Sequence, residues 1–145
     1  MTNLIAFDIG DKRIGIAVSD PFGEMALPLE TLWRKNTSAD VAYLVDLAKK
    51  RGAEKIVCGL PLNFDGSECE QTAKTAAFIE KLKAATDIPI ETVDERFTTA
   101  EARRLLLQAD MRREKRKDVI DKIAASYILE NYMCRMKNKR SDENV

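Results

Sequence analysis

The sequence predicts an α/β domain that opens on an antiparallel hairpin and continues through parallel crossovers. Three observations carry that prediction. Two short apolar runs, Leu4–Ile9 and Arg13–Ser19, flank a Gly10-Asp11-Lys12 turn. Helix-like and strand-like apolar periods then alternate along the chain. The 145 residues, 45% of them hydrophobic, suffice for one domain with a buried core and leave no room for a second.

Leu4–Ile9 is apolar on both faces, as a central strand covered from both sides would be. In Arg13–Ser19, Ile14, Ile16 and Val18 alternate with Gly15, Ala17 and Ser19, which completes a hairpin. A third strand is expected at 26–32. Ser38 stands where it can cap a helix with the stripe Val41, Leu44, Val45 and Ala48, and Gly52 where a helix-ending glycine belongs. Residues 55–59 read as a buried strand, 67–85 as a helix and 90–93 as a strand. A further helix begins at Thr99, since Thr98 and Glu101 have capping-box spacing. The charged stretch 111–117 reads as a mobile loop, and the final helix spans 119–133. Residues 1–136 form the single domain, with 137–145 a flexible tail.

The chain contains no histidine. That excludes Ser-His-Asp and Cys-His nucleophile systems, His-ligated zinc and a His general base. Cys58, Cys69 and Cys134 have no metal-binding spacing and suit free thiols in a reducing cytoplasm. No leader and no run of eighteen apolar residues stands out, so a cytoplasmic protein without a membrane partner is expected. The net charge of zero hides a segregation: residues 63–101 carry nine acids and four bases, residues 102–145 seven acids and twelve bases. A basic final third suggests a surface that meets a polyanion.

Carboxylates are therefore the natural carriers of chemistry. Asp8 lies inside the most apolar strand, where an ionised group is costly unless paired or bound to metal. Asp94 and Glu95 end a later strand and point to opposite faces, so only one can share a face with Asp8, and periodicity does not choose between them. On the final helix Ile120, Ile123, Ala124, Tyr127 and Ile128 form an apolar stripe with Asp121 at its edge, and Asp118 suits the first turn. Should that helix dock beside the first strand, Asp8, one strand-end acid and Asp121 would converge. Clustered carboxylates repel one another unless a hard divalent cation offsets the charge, and Mg²⁺ or Mn²⁺, as two ions, would support phosphodiester hydrolysis without histidine.

FDIGDKRIGIAVSD, VCGLPLNFDG, VDERFTTAEA and VIDKIAASYIL resemble, in order, the sequence blocks of the YqgF/RuvX family, covering residues 7 to 129. The resemblance implies an RNase H-like fold, a five-stranded mixed sheet flanked by helices, and a nuclease role in maturing the 5′ end of 16S rRNA precursor. Members are also proposed as Holliday junction resolvases. Carried over by position, the family's acidic triad falls on Asp8, Glu95 and Asp121, as catalytic and metal-binding residues. Asp11 stands where many members have a small hydroxyl residue, and Phe97 where leucine is frequent.

Lys12, Arg13 and Arg96 are candidates for holding phosphates. Arg112, Arg113, Lys115, Arg116 and Lys117 are better ones, because several contacts together give a salt-dependent affinity. No aromatic is interleaved with basic residues as in single-strand binding platforms, which favours backbone and shape recognition of structured RNA or branched DNA. A monomer or weak homodimer is expected. A ribosome-assembly factor that binds RNA without cutting it is a second reading. DIGDKRIG also resembles the phosphate loop of actin-like ATPases, but those need two such subdomains and this chain is too short.

Overall fold

The computed structural model describes residues 3–62, 66–94 and 113–143, and within the last helix the side chains of 119–137. Five strands, β1 (Leu4–Ile9), β2 (Arg13–Ser19), β3 (Ala26–Trp33), β4 (Lys55–Leu60) and β5 (Ile90–Asp94), form one sheet in the order β3-β2-β1-β4-β5. β2 pairs antiparallel with β1 and β3, whereas β1, β4 and β5 are parallel neighbours. Helices α1 (Thr37–Lys50) and α2 (Glu70–Ala85) cover one face, and α3 (Arg113–Glu143) covers the other. The predicted hairpin start and parallel crossovers are present. β3, β4 and β5 each run one residue further than expected.

Strand alternation divides the core in two. Ile5, Phe7, Ile14, Ile16 and Ile56 pack under α1 and α2, with Leu44, Phe78 and Leu82. Leu4, Ala6, Ala17, Val57 and Val93 pack under α3, with Ala125, Ile128 and Leu129. Fully burying a residue such as Ile128 stabilises by about 2–3 kcal/mol. The hairpin is therefore large on its α1/α2 face and small on its α3 face, where Ala6, Gly15 and Ala17 let a helix backbone come close. A Cβ on Gly15 would lie 1.9 Å from the carbonyl oxygen of Asp121, so only glycine fits there.

The helices depart from expectation at their ends. α1 starts at Thr37, and Asn36 rather than Ser38 is its N-cap: its Oδ1 accepts a 2.9 Å hydrogen bond from the Ala39 amide. Asparagine caps as well as serine, and residue 36 has the extended backbone a cap requires. Gly52, at φ 66°, follows that helix as predicted. α2 begins at Glu70, three residues after the expected start, with Cys69 as its N-cap.

α3 is longer than predicted at both ends. Residues 113–117, expected as loop, are already helical, and so are 137–143, expected as tail. Lysine, arginine and glutamate propagate a nucleated helix without an apolar stripe, so a charged run need not end one. Its sheet-facing stripe is also rotated from the expected one. Of the expected residues Ala124 and Ile128 are buried while Ile120, Ile123 and Tyr127 are half-buried, and Ala125, Leu129, Tyr132 and Met133 join the buried set. The helix expected from Thr99 lies outside the described residues. Among the described residues no helix is long and apolar enough to cross a membrane.

Candidate active site

Because β1, β4 and β5 run in parallel, their carboxyl ends share one end of the sheet, where open α/β sheets receive ligands. β2 runs against β1, so it starts at that end with Arg13. β3 finishes there with Trp33, the cross-strand partner of Arg13.

Asp8 is the penultimate residue of β1 and is half-buried. It follows Leu4 and Ala6 in alternation, which places it on the α3 face, and its cross-strand partner is Gly15. The backbone of Asp121 on α3 approaches that same glycine. Asp121 shares the helix face of Ala125 and Ile128, in line with the buried stripe rather than at its edge. Two acidic residues separated by 113 positions in sequence thus both neighbour Gly15, Asp8 as its cross-strand partner and Asp121 through its backbone.

Arg13 is committed here. Its Nε donates to Asp121 Oδ2 at 2.5 Å, with both side chains about one-fifth exposed at 21% and 19%. Expected as a phosphate holder, it also binds this nearer carboxylate. Its guanidinium also lies 5.2 Å from the centre of the Trp33 ring. Lys12, in the turn, is exposed as a phosphate-contacting residue would be.

The turn between β1 and β2 is held from behind by Arg34. Its Nη1 donates to the Gly10 carbonyl at 3.1 Å and its Nε to Asp40 Oδ2 at 3.0 Å, and its guanidinium stacks 4.9 Å from the centre of Phe78. Asp40, 2% exposed, also accepts from the Lys35 amide at 3.1 Å. The Gly59-Leu60-Pro61-Leu62 segment at the end of β4 is fastened to α2, since Thr72 Oγ1 donates to the Pro61 carbonyl.

Glu95, Arg96 and Arg112 lie outside the described residues. Arg113, Lys115, Arg116 and Lys117 fall in the first turns of α3 rather than in a loop. Asp94 is on the α1/α2 side: its partner Leu60 packs there, whereas Val93 belongs to the α3 core. No group of three acidic, cysteine or histidine side chains able to hold a metal occurs among the described residues. Gly15, Arg34 and Trp33 were not anticipated as parts of the site. A glycine inside an apolar strand was a readable signal for the first, and nothing local marks the other two.

A mixed five-stranded sheet in this order, with two helices on one face and a long one on the other, is an RNase H-like fold. RuvC of Thermus thermophilus bound to a Holliday junction superposes with a TM-score of 0.58, covering 94% of this chain and 96% of that one at 11% identity. Residues 2–135 match the family model described as RuvX: Holliday junction resolvase. The chain belongs to this family, as its four sequence blocks suggested. A relative from Ruegeria sp. (strain TM1040), named as a candidate pre-16S rRNA nuclease, is 46% identical over 141 residues, 97% of this chain and 90% of the relative. One from Moorella thermoacetica with the same name is 44% identical over 133 residues, 92% of this chain and 95% of the relative.

Proposed function

We propose that the chain is a metal-dependent nuclease that hydrolyses phosphodiester bonds of structured RNA in maturing the 5′ end of 16S rRNA precursor. The observation that carries the reading is that Asp8 and the backbone of Asp121 both adjoin Gly15, at the end of the sheet where the parallel strands finish. The relatives' names supply the RNA.

Carboxylate oxygens without histidine or thiolate suit a hard cation, so the residues fit Mg²⁺ or Mn²⁺. Asp8 and Asp121 would hold it together with Glu95. Glu95 is taken rather than Asp94 because Asp94 lies on the α1/α2 side and the family resemblance carries the third acid to Glu95. Such ions supply activation of a water and neutralisation of charge on the scissile phosphate. The chain's own part is positional. Arg13 fixes the Asp121 carboxylate and offsets its charge, Arg34 braces the turn after Asp8, and Lys12 with Arg112, Arg113, Lys115, Arg116 and Lys117 draws in the backbone.

The test compares the intact chain with Asp8→Asn and Asp121→Asn on a precursor rRNA fragment and on a four-way DNA junction, each with Mg²⁺ or Mn²⁺. Cleavage of the RNA is expected, with each variant slower by at least about 100-fold, the scale of lost metal-assisted charge stabilisation. Equal cleavage by wild type and variants would overturn the site. Cleavage of the junction alone would overturn the RNA assignment.

A further inference from the structure

We propose that Trp33 is a stacking platform for an unpaired nucleobase next to the scissile phosphate, a role that rests on the nuclease reading above. Trp33 ends the edge strand β3 and is 54% exposed, so part of its ring faces solvent. It is the cross-strand partner of Arg13, and the pair sits at the sheet end that carries the carboxylates. The Arg13 guanidinium, 5.2 Å from the ring centre, reaches Asp121 with its Nε. A row therefore runs from the open indole through Arg13 to Asp121 and on, past Gly15, to Asp8.

The surroundings suit a nucleotide better than another protein. Lys12 flanks Arg13, Arg34 and Lys35 follow Trp33, and the Arg34 amide donates to the Lys12 carbonyl at 2.9 Å, so the two segments are stitched together. Lys12 and Lys35 are exposed and take part in none of the ion pairs found among the described residues. An aromatic face between cations is the arrangement by which single strands are held: the ring takes the base whatever its identity, and the cations take the phosphates. With one side of the indole against Arg13, the remainder stays open to a base. The substrate feature this selects is a short unpaired stretch at the cleavage point, which a continuous duplex lacks.

Trp33 is the only tryptophan, so its fluorescence reports this position alone. The full chain, in EDTA to prevent cleavage, would be titrated with a single-stranded RNA hexamer, with the same hexamer lacking its bases, and with a blunt RNA duplex. Saturable quenching by the hexamer alone is expected. By anisotropy of labelled RNA, Trp33→Ala should bind the hexamer about 5- to 150-fold more weakly, with Trp33→Phe between the two. The salt slope should be unchanged, since no phosphate contact is lost. Unaltered affinity in Trp33→Ala, or equal quenching by the baseless strand, would overturn the proposal. Emission that shifts with protein concentration alone would overturn it in favour of self-association. Failure here while the intact chain still cleaves precursor rRNA leaves the nuclease reading standing, and absence of both cleavage and binding removes the two together.

Discussion

Replacing Gly15 with alanine tests the contact on which the site is built. A Cβ there would stand 1.9 Å from the Asp121 carbonyl oxygen, 2.3 Å from its carbon and 3.0 Å from the Lys122 nitrogen, whereas ordinary contact begins at 3.4 Å. The obstructing atoms are helix backbone, which no rotamer change can move aside, so α3 must lift by about 1.5 Å, the gap between the first and last of those distances. Lifting it also loosens Ala125, Ile128 and Leu129, all 0% exposed, from the sheet. Overpacking costs roughly 1–3 kcal/mol, and a rigid obstacle puts this case near the upper value of about 3 kcal/mol. For a chain of this size that lowers the melting temperature by roughly 10 °C. Asp121 moves away from Asp8 by more than an ångström, a misplacement that costs about 100-fold in rate. Melting would be followed by circular dichroism, and single-turnover RNA cleavage measured well below both melting temperatures. A variant melting within about 1 °C of wild type and cleaving at the same rate would refute the close approach.

Two further outcomes follow from other contacts. Asp40→Ala leaves the Arg34 guanidinium without its carboxylate beside Phe78 and frees the Gly10 turn, so a loss of about 3 kcal/mol is expected in urea unfolding, the lower end for a broken buried pair because Arg34 is 20% exposed; a loss under about 1 kcal/mol would make the pair a surface one. At the far end of the sheet, Lys55 Nζ donates to Tyr132 Oη at 2.8 Å. That hydrogen bond raises the lysine pKa above 10.5, while burial and Glu91 raise the tyrosine above 10.0. Both groups hold protons more tightly folded than unfolded. The stability they contribute is complete below about pH 10 and is lost as pH rises through the folded values. Melting temperature should therefore fall less between about pH 9 and about pH 11 in Tyr132→Phe than in wild type, and parallel pH profiles would show the pair to be unimportant.

What the sequence disclosed, and what it withheld, follows the range of the forces involved. Strand positions depend on apolar alternation over five to eight residues, which is why β1 and β2 were readable to the residue. The ends of α3 were not, because its outer turns are charged and make no apolar pattern while still favouring helix. Asp8 could be singled out because an acid in an apolar strand is locally improbable. Asp121 was seen less clearly: the stripe through Ile120 and Tyr127 put it at an edge, whereas the docked helix turns Ala125 and Leu129 to the sheet and carries Asp121 with them.

The partners of these acids lie beyond any local pattern. Arg13 and Asp121 are 108 positions apart, and only the close seating of α3 on Gly15 joins them. The zero net charge acquires a meaning there that no count by segments could give. Asp121 is balanced by Arg13 and Asp40 by Arg34, so two of the acids near the β1–β2 turn are each matched by a guanidinium group. An acid whose charge is already offset attracts a stray cation less strongly than an unpaired one. On the proposed function a divalent ion would therefore share the Asp121 carboxylate with Arg13. The same reasoning explains why the open indole matters beside Arg13. A base seated on Trp33 would lie against the group that holds Asp121, which would couple recognition of an unpaired nucleotide to that acid.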